Sequence, residues 1–181
     1  MPSLSIDLLK NLQDDYTKYK VFIETGTFMG FSIFNVEPYF DKLYTIEIAP
    51  HYYHSTKSKY NGNKIDFILG DSSKELIKLV SNINDKVIFW LDGHYSSMNT
   101  GKGDKDVPLL EELTTINNLF KHEAIIIIDD YRLFGTNVTE DWTEITKVNV
   151  LNRISSRITN VYHLPSELAH NDRLVIHIKS L

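Results

Sequence analysis

The sequence predicts an α/β protein with a Rossmann-like, doubly wound, mostly parallel sheet, helices on both faces and an antiparallel C-terminal edge strand. Two observations carry that prediction. From residue 20 onward, short apolar runs alternate with amphipathic segments, the strand-helix rhythm of a parallel sheet. Val87-Ile88-Phe89-Trp90-Leu91 and Ala124-Ile125-Ile126-Ile127-Ile128 are apolar at every position, as strands covered on both faces must be. With 181 residues the chain fits one domain with one substantial core. Its 42% apolar and 24% charged residues exclude wholesale disorder.

Taken in order, residues 3–19 carry Leu4, Ile6, Leu8, Leu9, Leu12 and Tyr16 at mostly helical spacing, with Ser3 or Ser5 as N-cap, and predict a leading helix. The first strand is 20–24; the glycine-punctuated turn after it leads into a helix over 29–40, where Pro38 fits only near the end. A second strand over 42–48 and a helix over 51–60, stopped by Asn61-Gly62-Asn63, come next. The third strand, 65–69, ends in Gly70-Asp71-Ser72-Ser73, which caps a helix over 74–80. The fourth, 87–91, ends in Asp92-Gly93-His94-Tyr95. A polar stretch over 96–106, a candidate lid, separates it from a helix over 108–121. The fifth strand, 124–128, ends in Asp129-Asp130-Tyr131. A helix over 141–158 and two short strands, 160–164 and 173–178, complete the chain, the strands as a hairpin-like addition at one edge.

Charge and composition narrow the partners. A formal net charge of −5 with dispersed lysines gives no electrostatic footprint for nucleic acid or an anionic membrane. No apolar run exceeds that of Ala124 to Ile128, far too short to span a bilayer, and the N-terminus lacks a signal-peptide pattern. The absence of cysteine fits a reducing compartment, so the expected location is the cytoplasm, or the host cytoplasm for a viral chain.

Ligands of such sheets bind at the carboxyl ends of the strands, near the point where strand order reverses. Here those ends carry Glu24, Glu47, Asp71, Asp92, Asp129 and Asp130, a concentration of negative charge that a cation, hydroxyl donors or a metal must balance. Gly26 and Gly30 let the backbone after Glu24-Thr25 turn sharply and approach a nucleotide-like cofactor. The spacing is a poor match to the dinucleotide fingerprint, since Thr27 follows Gly26 and the next glycine is Gly30. Glu47 lies about 20 residues further on, where an acid accepts from both hydroxyls of a cofactor ribose. Asp71 and Ser72 suit an adenine edge, one accepting and one donating; they equally suit a helix N-cap. Glu24, Thr25, Gly26, Thr27, Gly30, Glu47, Asp71, Ser72 and Asp92 are therefore the candidate cofactor-binding residues. The Glu-x-Gly-x-x-x-Gly opening resembles that of class I S-adenosylmethionine (SAM) methyltransferases, and a cationic sulfonium suits Glu24 where a pyrophosphate would not.

On the other half of the rim, Asp92, Asp129 and Asp130 close adjacent strands about 5 Å apart and favour a hard divalent ion such as Mg²⁺. His94, with an ordinary pKa of about 6.5, stands within reach as a general base. The Asp92-Gly93-His94 and Ile128-Asp129-Asp130-Tyr131 strand ends resemble those of metal-dependent sugar O-methyltransferases of the macrocin and mycinamicin type. The stretch from Gly103-Asp104-Lys105-Asp106 into Pro108-Leu109-Leu110-Glu111-Glu112-Leu113 resembles small glycan-decorating methyltransferases of bacteria or large viruses. The resemblance covers about residues 20–135. It implies one methyltransferase-like domain over 1–181: a leading helix (1–19), a cofactor and metal core (20–135), and a C-terminal helix and strand pair (136–181). It implies SAM and Mg²⁺, or another hard divalent cation, as cofactors, Asp92, Asp129 and Asp130 as metal ligands, and His94 as base toward a sugar or glycan hydroxyl. Tyr95, Tyr131 and Trp142 are candidates to flank a sugar ring, and Lys102, Asp104, Lys105 and Asp106 read as a solvated loop. A metal-independent SAM methyltransferase acting on another small molecule and a non-catalytic Rossmann-like binding module are the alternatives. A nicotinamide oxidoreductase ranks lower for want of the glycine fingerprint. A homo-oligomer is left open.

Overall fold

The computed structural model describes residues 3–96 and 100–181. Seven strands form one sheet: β1 (Val21–Thr25), β2 (Lys42–Glu47), β3 (Ile65–Leu69), β4 (Val87–Leu91), β5 (Ala124–Ile128), β6 (Ile158–Leu164) and β7 (Arg173–Ile178). Their order is β3-β2-β1-β4-β5-β7-β6. The first five are parallel, and β7 runs antiparallel to both β5 and β6. The Rossmann-like, doubly wound reading therefore holds, with the order reversing between β1 and β4.

Covering both faces is what the apolar strands demand. Ile23, Phe89, Leu91, Ile126 and Ile176 pack on one side with Leu76 and Val80 of α4 (Ser72–Val80), Leu113 and Ile116 of α5 (Leu109–Leu119), and Val150 and Ile154 of α6 (Lys147–Ile154). Phe22, Ile88, Trp90, Ile125 and Val175 pack on the other with Leu8 and Leu9 of α1 (Ile6–Lys10) and Ile33 and Val36 of α2 (Phe31–Val36). The remaining helix, α3 (Pro50–Lys57), links β2 to β3. No described helix is long and apolar enough to cross a membrane.

Two helix expectations need correction. The leading helix is confined to Ile6–Lys10, with a separate 3₁₀ turn at Tyr16–Lys18, because Asp15 accepts from the Thr17 amide and caps a new turn. The helix predicted over 141–158 begins only at Lys147, where the Thr146 side chain caps it, and ends in a 3₁₀ turn at Ser155–Arg157. The terminal strand pair joins the β5 side of the sheet as the hairpin-like antiparallel addition expected at one edge. β7 inserts between β5 and β6 and is buried along its whole length, so β6 is the edge strand. The insertion has a consequence for the site: β7 starts where β5 ends, with Leu174 opposite Ile128, which delivers Asp172 and Arg173 to the rim formed by the parallel strands.

Arg157 ties this C-terminal segment to the core. It is 2% exposed and donates to five carbonyls: Ile116, Asn117, Phe120, His122 and Lys179. Three of these lie at the end of α5, where helix carbonyls lack intrahelical partners. Replacing Arg157 by Met leaves them buried without donors and should lower unfolding free energy by about 3 kcal/mol. Urea denaturation is the check.

Candidate functional site

A cleft lies at the carboxyl ends of β1, β2, β3 and β4, where ligands of such sheets bind. Of the residues assigned to cofactor binding, Gly26, Glu47, Asp71, Ser72 and Asp92 line it, and His94 does too. Glu24, Thr25, Thr27 and Gly30 do not.

The reason is the double covering of the sheet. Glu24 is 1% exposed and points inward between β1 and β2, where Thr45 donates to its Oε2 at 2.5 Å and Thr27 follows at 2.5 Å from Thr45. Burial, with the Glu47 charge adding to it, pushes the Glu24 carboxyl up to about 8. Thr25 and Thr27 are likewise enclosed. Gly30 serves packing: in left-handed backbone at the start of α2, it leaves no room for a Cβ, which would sit 2.6 Å from Thr56 Cγ2. Gly26 does approach the site, since its Cβ would meet the Asp92 carbonyl oxygen at 2.4 Å.

Glu47 is aimed by backbone. Its Oε2 accepts from the Phe28 amide at 2.7 Å and its Oε1 from the Ala49 amide at 2.8 Å, holding the two turns that flank the cleft mouth together. Each oxygen keeps a second lone pair for a ligand hydroxyl. Asp71 caps α4 through Ser73 and also lines the cleft. The Ser72 hydroxyl, by contrast, is already committed: it donates to Glu112 Oε1 at 2.5 Å. Sequence reasoning missed Glu112. It sits on the apolar face of α5 between Leu109 and Leu113, 1% exposed, and burial pushes its carboxyl up to about 7. The only signal for it was an acid at a core position of the helical pattern.

On the reactive side, Asp92, His94 and Asp130 converge. His94 Nδ1 is 3.6 Å from Asp92 Oδ1, and its Nε2 is 3.3 Å from Asp130 Oδ2. Burial holds the imidazole below the ordinary histidine range despite the Asp130 charge. Asp92 is raised well above the usual carboxylate range by burial and by the Asp129 and Asp130 charges. Asp130 occupies a left-handed position at φ 59°. Among the described residues the closely spaced groups are Asp92, His94 and Asp130, and Asp129, Asp130 and Asp172, so Asp130 belongs to both while Asp92 and Asp129 fall in different ones. Arginines enter the rim as well. Arg132 Nη1 donates to Asp130 Oδ1 at 2.5 Å and to Asp172 Oδ2 at 2.6 Å, and Arg173 Nε lies 3.4 Å from Asp129 Oδ1 without completing a hydrogen bond.

The residues proposed to flank a sugar ring separate. Trp142 is 2% exposed and packs edge-on against His94, with centroids 4.9 Å apart, so it walls the imidazole instead of meeting a ligand. Tyr131 packs on Phe134 and His163. Tyr95 lines the cleft. The polar stretch is a strap: Gly101 seats against Ile48 and Ala49, Gly103 against Asp71, and Lys74 pairs with Asp104 at 2.9 Å. Part of the lid assignment, residues 97–99, lies outside the described residues.

A buried acid whose native pKa is about 8 favours the folded state while protonated. The native chain then binds more protons than the unfolded one, so this contribution is full below the ordinary glutamate range and is lost as pH rises through about 8. Glu24→Gln should remove that slope, stabilising the protein more at pH 8 than at pH 5; paired thermal melts are the measurement.

No protein-family profile matches the chain, and no curated protein sequence matches it. Its fold, however, recurs in solved structures. The chain superposes on a chain of a fibrillarin/Nop5p complex (TM-score 0.63, 18% identity, 97% of this chain and 79% of that one). It also superposes on the O-methyltransferase TomG of Streptomyces achromogenes, solved with SAM (0.63, 14%, 91% and 75%). A third is an O-methyltransferase from Bacillus cereus, solved with SAH (0.63, 11%, 91% and 76%). At these identities the likeness establishes a Rossmann-like methyltransferase fold.

Proposed function

We propose that this protein is a SAM-dependent O-methyltransferase that acts on a sugar or glycan hydroxyl in the cytoplasm, with His94 as general base. The observation that carries the reading is the juxtaposition at the switch point. A cleft bounded by Glu47 and Asp71 opens beside His94, which is flanked by Asp92 and Asp130. Two structures of the same fold hold SAM or SAH.

The chemistry follows from the groups present. Glu47 would receive ribose hydroxyls and Asp71 an amino group of the base, and the Gly26 turn leaves backbone open to close approach. When bound, SAM would supply the methyl group for an acceptor hydroxyl, whose proton His94 would take. An imidazole held below its ordinary pKa by burial is neutral at pH 7 and ready to accept.

The rim fits a divalent ion on the evidence of its donors. A neutral imidazole has one N–H for two flanking carboxylates, so its other nitrogen faces an acceptor and a proton or cation must bridge them. Asp129 Oδ1 is also buried and completes no hydrogen bond among the described residues, with Arg173 Nε 3.4 Å away. Asp92 and Asp130 would hold such an ion, leaving His94 as the base. When bound, it supplies Lewis acidity toward an acceptor hydroxyl. The arginines on Asp130 and Asp172 and beside Asp129 favour the second reading, a metal-independent SAM methyltransferase in which His94 works alone.

Calorimetric titration tests the cofactor: SAH should bind in the micromolar range and NAD should not, and silence toward SAH ends the methyltransferase reading. His94→Ala should lower kcat by about 100-fold or more while SAH affinity stays within about threefold. Turnover abolished by EDTA and restored by Mg²⁺ supports the metal-assisted form, whereas turnover indifferent to EDTA, together with an unimpaired Asp130→Asn variant, selects the metal-free one.

A further inference from the structure

Three alternate positions of the turn between β1 and α2 share left-handed backbone: Gly26 at φ 83°, Phe28 at 47° and Gly30 at 82°. The two glycines are required by close neighbours. Phe28 is different, because a bulky L-residue there is strained where glycine would not be. The surroundings hold it in place from both sides. Its amide donates to Glu47 Oε2 and its carbonyl accepts from Thr56 Oγ1, each at 2.7 Å. What the strain secures is the position of a ring. The half-buried Phe28 side chain stands 4.5 Å from the ring of Tyr52, and both line the cleft beside Glu47.

The position has a meaning in cofactor pockets generally. Dinucleotide sites keep glycine two residues after the first glycine of the turn so that backbone can approach a pyrophosphate. Here the same place carries an aromatic ring that occupies that approach. We propose that Phe28 is a specificity-determining residue of the cleft: with Tyr52 it forms an aromatic wall on the Glu47 side, against which the nucleoside of a cofactor without pyrophosphate packs. The inference rests on the SAM reading and deepens it.

The test titrates SAH into the wild type, Phe28→Ala, Phe28→Trp and Phe28→Gly, with a thermal melt of each. Phe28→Ala should weaken SAH by about tenfold, and Phe28→Trp should stay within about threefold of wild type. Phe28→Gly should melt above Phe28→Ala, because it alone relieves the left-handed backbone, yet bind SAH no better. That split, stability regained without affinity, is one that a purely packing role for the ring would not produce. SAH binding by Phe28→Ala at wild-type affinity overturns the proposal. Should Phe28→Ala fail to fold, Phe28→Gly, which the backbone favours, carries the same comparison. A wild type that ignores SAH would instead remove the cofactor reading itself.

Discussion

Acids placed at the carboxyl ends of covered parallel strands must be desolvated, and the surroundings of the rim are built around that constraint. Glu24 is answered by Thr45 and Thr27, Glu47 by two backbone amides, Asp71 by the first turn of α4 and Glu112 by Ser72. Asp172 takes Arg132 and Ser166, and Asp129 has Arg173 nearby. Asp92 with His94 stands apart from this pattern. Among the described residues it has no cationic side chain within ion-pair distance apart from the imidazole itself, and burial together with the Asp129 and Asp130 charges raises its carboxyl well above the usual range. The place where compensation runs short is the place where reacting groups are expected.

Close backbone approach is the second element of the design. Gly26 lies against the Asp92 carbonyl, and Gly93 passes over Thr25 and Glu112. These contacts bring the turn after β1 and the turn after β4 together at the switch point, so the cleft is shaped by main chain on one side and by the strap of residues 100–106 on the other. Glu47 links the turns after β1 and β2 in the same manner, through hydrogen bonds instead of contact. Charged side chains with fixed positions follow from turns that cannot move independently.

The C-terminal segment contributes more than an edge. By inserting antiparallel beside β5, β7 reverses chain direction at the rim and adds Asp172 and Arg173 to a cluster otherwise supplied by parallel strands. Arg157 fixes the same segment to the end of α5, whose other end carries Glu112, the acceptor of the Ser72 hydroxyl at the cleft. Core, helix cap and site are therefore parts of one continuous set of contacts.

The sequence by itself determined the βα order, the all-apolar strands β4 and β5, the glycine turn, and the acids that end on one rim, because periodicity and strand-end position depend only on local pattern. It also placed His94 beside Asp92 and singled out Asp130. Which acids face the cleft was a tertiary decision. Glu24 and Thr27 belong to a strand and turn whose side chains are enclosed by helices, and only packing shows that they point inward. Asp129 and Asp130 are adjacent in sequence, yet the left-handed backbone at Asp130 sends it toward His94 and leaves Asp129 by Arg173. Glu112, Arg132 and Arg157 acquire their roles from partners 35 to 41 residues away, and no local pattern encodes a contact at that distance.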